Sequence, residues 1–200
     1  MNTFTENNKS AFQALEILCC EFVGNDAVTE NIFAEKAMSL LGEIERFTEE
    51  DIDEKHEFGE GLSYAIPYVS KRMVALIMFM KPGACIDAHD HHGFAGVMRL
   101  IRGEVKVENF SLSDFGQVCE SGEFNIVPGK ITVVAEDECS AILSGDSNIH
   151  QVTAGENGAI FFDIYAMTED RGRSDFFEVL REEADGRRTV KIKASVAIPE

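Results

Sequence analysis

The chain has 200 residues, 44% of them hydrophobic, enough to bury a core without a disulfide framework. Its 36 acidic residues outnumber 18 basic ones, for a formal net charge of −18. That balance excludes nucleic-acid binding, which needs clustered Lys and Arg against phosphate, and an electrostatic hold on anionic membranes.

The first ten residues, Met1 to Ser10, are polar and do not read as a secretory leader. Helix signals follow. Ser10 with Gln13 matches a capping box, and Phe12, Leu15, Leu18, Cys19 and Phe22 then share one face until Gly24 and Asn25 end the pattern. A second helix is predicted from Thr29, presenting Phe33, Ala37, Leu40 and Leu41 before Gly42. Thr48 to Asp51 predicts a short helical turn. The stretch 49–60 is rich in charge and poor in core residues, so it reads as a seam, with His56 on a solvated loop.

After Gly61 short runs of Val, Ile, Phe and Tyr alternate with Gly, Pro, Asp and Asn, the pattern of antiparallel strands. Strands are predicted over 63–68, 72–80, 96–101, 104–110, 123–127, 130–135, 140–144, 149–153 and 159–165. A hairpin is predicted between 176–180 and 188–197, turning at Asp185 and Gly186. The apolar run 73–80 is too short to span a bilayer as a helix, which takes about 20 residues, and reads as a buried strand. These signals predict a mainly β protein, a closed antiparallel barrel behind an α-helical N-terminal extension. They divide the chain into an extension over 1–60, packed on the barrel, and a barrel domain over 61–200 ending in the hairpin.

The five cysteines, Cys19, Cys20, Cys85, Cys119 and Cys139, form no C-x-x-C pair, which fits reduced thiols in the cytoplasm. Cys85 reads as packing. The five histidines are more informative. In an extended strand residues i and i+2 share a face, so His89 and His91 project together while Asp90 points away. Two imidazoles side by side make half a metal site, and His150, in another strand-like run, is the natural third ligand. His92 reads as a loop residue beside the site. Arg99 and Arg173 read as barrel-surface residues.

The spacing of Gly83, His89, His91, Gly96 and Gly103 resembles the first cupin motif, with Gly96 where many cupins place a glutamate ligand. A three-histidine site without that carboxylate resembles the thiol dioxygenases, and most of all the branch that holds cysteamine dioxygenase and the plant cysteine oxidases. The run from Leu100 to Val105, then Asn148, Ile149 and His150, then Phe162, Asp163 and Ile164, and Gly172 with Arg173 carry the rest of the likeness, over about 64–177. The resemblance implies a cupin-type double-stranded β-helix and Fe(2+) held by His89, His91 and His150. It also implies a monomer that adds O2 to the sulfur of an aminothiol, either a cysteamine-like molecule or the N-terminal cysteine of a peptide. Asp163 would then orient a ligand histidine or meet the substrate's ammonium group. Two other readings stay open: a three-histidine cupin enzyme using another metal on a small polar metabolite, and a non-catalytic metal- or ligand-binding cupin. The chain departs from the branch at His92, where Pro is usual, at Ala166 to Glu169, and at Ser174 to Phe177, which hold neither Tyr nor Cys. A Cys–Tyr crosslink is therefore not implied at those positions.

Overall fold

The computed structural model describes residues 3–25, 27–113, 122–142, 149–168 and 173–197. The expected strand ends at 143–144, together with Cys119, Asn148 and Gly172, lie outside the described residues.

Among the described residues three helices come first: α1 (Thr3–Asn7), α2 (Lys9–Gly24) and α3 (Glu30–Leu41). The expected capping box at Ser10 does not form. Asn8 is the N-cap residue of α2, and Ser10 already lies inside the helix. The buried Asn8 side chain instead donates to the Phe4 carbonyl and accepts from the Glu45 amide, tying α1 to the segment after α3. Thr29 does cap α3, its hydroxyl accepting from the Ile32 amide. At Thr48 the backbone N–H donates to the Asp51 carboxylate at 2.6 Å, closing the expected turn, a single 3-10 turn at Glu49–Asp51. No helix among the described residues is long and apolar enough to cross a membrane.

Ten strands follow among the described residues: β1 (His56–Gly59), β2 (Leu62–Val69), β3 (Met73–Met80), β4 (Cys85–His89), β5 (Phe94–Leu112), β6 (Glu123–Ala135), β7 (Cys139–Ile142), β8 (Ile149–Met167), β9 (Arg173–Glu182) and β10 (Arg188–Ala197). All pairings are antiparallel. The chain of neighbours β8, β4, β9, β10, β6 and β5 returns to β8, which closes the barrel, while β1 to β3 extend the sheet from the far half of β8.

The seam expected over 49–60 is partly strand, because β1 pairs with β2 and takes His56 out of the loop class. Four predicted strands are halves of two longer ones. β5 joins 96–101 to 104–110, and β8 joins 149–153 to 159–165. Glycines that read as stops lie inside single long strands, at a shift in the register of their pairing. Gly103 has φ +86° and Gly158 φ +73°, and a Cβ on Gly103 would collide with the Gly158 carbonyl where the two strands cross. Only glycine allows both the backbone angle and that approach.

The alternation of side chains along β3 and β8 divides the interior in two. Met73, Ala75 and Ile77 of β3, with Phe162, Ile164 and Ala166 of β8, face the helices and join Phe12, Leu15, Phe33 and Leu41 in one core. The intervening residues face into the barrel. Burial on both faces explains why the β3 run is continuously apolar rather than alternating. Arg99 on β5 is not a surface residue: it is buried on the helix-facing side, where its Nη1 donates to the Leu41 and Ile44 carbonyls at the end of α3.

Candidate metal centre

His89 ends β4, His150 opens β8, and the two are register partners across the sheet. His91 lies just beyond β4, in a segment tied to the start of β9 by paired backbone bonds between His92 and Arg173. One ring nitrogen from each of these buried histidines lies within 4.8 Å of the others. The Nε2 atoms of His91 and His150 are 3.4 Å apart.

Two outer contacts orient the rings. His89 Nδ1 lies 2.9 Å from the Asp87 carbonyl, which can only accept, so that nitrogen carries the proton. Ser174 Oγ is 3.2 Å from His91 Nδ1. A proton held at Nδ1 aims the Nε2 lone pair at the cluster, the tautomer a metal requires. Phe176 stacks on the His89 ring and Tyr165 on the His91 ring. Burial pushes the His89 imidazole down to about 4, and burial with the facing imidazoles pushes His91 well below its ordinary value. Both rings are therefore neutral near pH 7 and have their lone pairs available. Donor type, convergence and protonation state all fit a divalent cation.

Asp163 faces the same cavity from β8, between Leu76 of β3 and Met98 of β5. Its Oδ2 accepts from the Tyr165 hydroxyl at 3.0 Å, while its buried Oδ1 has no hydrogen-bond partner among the described residues. Burial raises the carboxyl to about 7, against the opposing effect of the Tyr165 hydrogen bond. The cavity encloses about 210 Å³. Its walls are apolar, with Ile66, Val74, Leu76, Met78 and Met98 among them, and no Lys or Arg occurs among the described lining residues.

Tyr165 and Ser174 were not among the residues singled out from the sequence. Tyr165 carried a signal, since it is two residues from Asp163 on one strand and shares its face. Ser174 carried none, because its contact with His91 exists only through the β9 crossing.

The other candidates lie elsewhere. Cys85 is half-buried and its Sγ accepts from the Thr153 hydroxyl at 3.6 Å, outside the cavity lining. His56 is exposed on β1, with its ring 5.2 Å from that of Tyr64. His92 Nε2 lies 2.9 Å from the buried Asp90 carboxylate and 3.3 Å from that of buried Asp175, which Arg173 and Ser195 also contact. This clasp holds the His91 segment onto β9.

A family model, PCO_ADO, matches residues 35–195. The chain belongs to this family. It is thus a cupin of the cysteamine dioxygenase and plant cysteine oxidase branch, a metal-dependent enzyme of dioxygenase type. No match was found among curated proteins. Similar solved structures include KdgF from Halomonas sp., 15% identical with a TM-score of 0.45, covering 63% of this chain and 97% of that one. A sugar phosphate isomerase of the cupin superfamily from Silicibacter pomeroyi is 15% identical with a TM-score of 0.44, covering 67% and 78%. An RmlC-like cupin from Shewanella frigidimarina is 19% identical with a TM-score of 0.44, covering 62% and 91%.

Proposed function

We infer that this PCO_ADO member is a non-haem Fe(II) thiol dioxygenase. It would convert the thiol of an aminothiol, a cysteamine-like molecule or a peptide's N-terminal cysteine, to a sulfinic acid. His89, His91 and His150 hold the iron in this reading. Its main support is the cluster of three buried imidazoles, which among the described residues includes no carboxylate. Three neutral ligands leave the centre with the full metal charge, which an anionic thiolate offsets.

Iron, when bound, supplies the redox centre at which thiolate and dioxygen meet. The chain's residues do the rest. The Asp87 carbonyl holds His89 in the binding tautomer, and Ser174 meets His91 Nδ1 and fixes the orientation of that ring. Asp163, with Oδ1 lacking a partner among the described residues and Oδ2 steadied by Tyr165, accepts the substrate's ammonium group. The apolar walls exclude water that would compete for the sulfur. In the overall reaction two S–O bonds form and the O–O bond breaks. Sulfur is oxidised, both oxygen atoms end on it, and the thiol substrate supplies the electrons. The reaction suits the cytoplasm, where thiols stay reduced.

The test is oxygen uptake by Fe(II)-loaded protein with cysteamine, cysteine and peptides that begin with cysteine, with the product weighed by mass spectrometry. Uptake matched by addition of two oxygen atoms, lost in His150→Ala, is the expected result. Stoichiometric iron with no turnover of any thiol would leave a non-catalytic metal-binding cupin. Tight zinc or manganese that resists exchange would favour a different three-histidine enzyme.

A further inference from the structure

The cavity constrains the part of the substrate that neither the histidines nor Asp163 hold. Asp163 is the one acidic group among the described lining residues, and its cross-strand neighbours are Leu76 on one side and Met98 on the other. Beyond Leu76 the wall continues to Ile66 and Tyr64 of β2. A substrate with its sulfur at the imidazoles and its ammonium on Asp163 must place any further substituent against these side chains.

Size matters as well. A volume of about 210 Å³ far exceeds the roughly 10–15 Å³ that one water needs on this measure, so the lining extends past the few heavy atoms of an unsubstituted aminoethanethiol. A second carboxylate here would face Asp163 with no cation nearby among the described lining residues. An ammonium in the remaining space would sit against apolar walls and lose its hydration uncompensated. An apolar substituent has neither cost, and it displaces water from apolar surface.

We propose that the site selects aminothiols that carry an uncharged apolar group on or beyond the amine-bearing carbon, with Leu76 and Met98 as the residues that set this preference. The inference rests on the thiol-dioxygenase reading, since that reading puts sulfur at the histidines and the amine on Asp163. A small lipophilic aminothiol such as leucine thiol carries the apolar group on that carbon, and a peptide whose N-terminal cysteine precedes a large apolar residue carries it one amide further on.

The experiment is anaerobic calorimetry on the Fe(II)-loaded full chain, titrated with the dipeptide amides Cys-Leu and Cys-Glu, with leucine thiol and with cysteamine. The Cys-Leu amide or leucine thiol should bind about tenfold more tightly than the Cys-Glu amide and cysteamine; whichever of the two is favoured identifies the source. Leu76→Asn and, independently, Met98→Gln should narrow that ratio, while the volume-conserving Leu76→Met should keep it. Equal affinities across the series, or a preference for the charged peptide, would overturn the proposal. Oxygen uptake is scored separately. Selective binding without uptake would overturn the dioxygenase reading and leave the selectivity standing; uptake with no selectivity would do the reverse.

Discussion

The Tyr165 ring lies directly over the Cα of Gly96, its register partner across β5 and β8: a Cβ added to Gly96 would sit 2.7 Å from Tyr165 Cδ1. In cupins that use a glutamate at this place in the motif, a side chain would occupy that space. Here an aromatic ring fills it, stacks on His91 and sends its hydroxyl to Asp163. The missing side chain at residue 96 and the orientation of Asp163 are therefore one arrangement.

Gly96→Ala should destabilise the protein by about 1–3 kcal/mol through overpacking, because the new methyl meets both the ring and the Ile164 carbonyl. In a Tyr165→Leu background the same substitution should cost less. A double-mutant cycle by denaturant unfolding measures the difference.

Ser174→Ala removes the group facing His91 Nδ1. Metal affinity should fall about 10–100-fold, the usual effect of losing an outer contact to a ligand histidine. Chelator competition against the parent protein reads it directly.

Asp163 gives the metal-free protein a pH signature. Its folded carboxyl is raised to about 7, whereas the unfolded chain releases that proton near 3.9. Between those values the folded state binds more protons, so this group lowers stability as pH rises through the window, and the effect levels off above 7. Asp163→Asn should remove that contribution. Denaturant unfolding of metal-free parent and variant at about pH 5 and about pH 8 should show a stability gap that shifts in the variant's favour at the higher pH.

Arg99→Met keeps an apolar stem but strands the Leu41 and Ile44 carbonyls at the end of α3. The expected loss is about 2–4 kcal/mol, read by denaturant unfolding. Arg99 also donates to Asp137, and hydrogen bonds from Arg99 and Arg46 hold that carboxyl below its ordinary value. Asp137 therefore stabilises the fold above the unfolded carboxylate pKa, and the contribution is lost as pH falls through its lowered value. Thermal melts of Asp137→Asn should differ from the parent at neutral pH and converge with it in acid.

Much of this protein was legible in the amino-acid order. Local signals end at short range, so Thr29 and the periodic apolar face of α3 could be read directly. The β texture after Gly61 and the spacing of His89 and His91 pointed to a cupin barrel and two adjacent imidazoles. The order also explains the charge: an excess of −18 contributes one carboxylate, Asp163, to the described cavity lining. Other features needed the folded chain. Gly103 and Gly158 read as strand ends because a turn and a bend both ask for positive φ; only their close approach shows two long strands that shift register there and run on. Arg99 looked like a surface cation, because its acceptors are carbonyls more than fifty residues away, which no local pattern reports. The Ser174 contact to His91 and the Tyr165 ring over Gly96 likewise depend on register between distant strands. Local chemistry determined which residues could bind a metal; strand register decided which groups surround them.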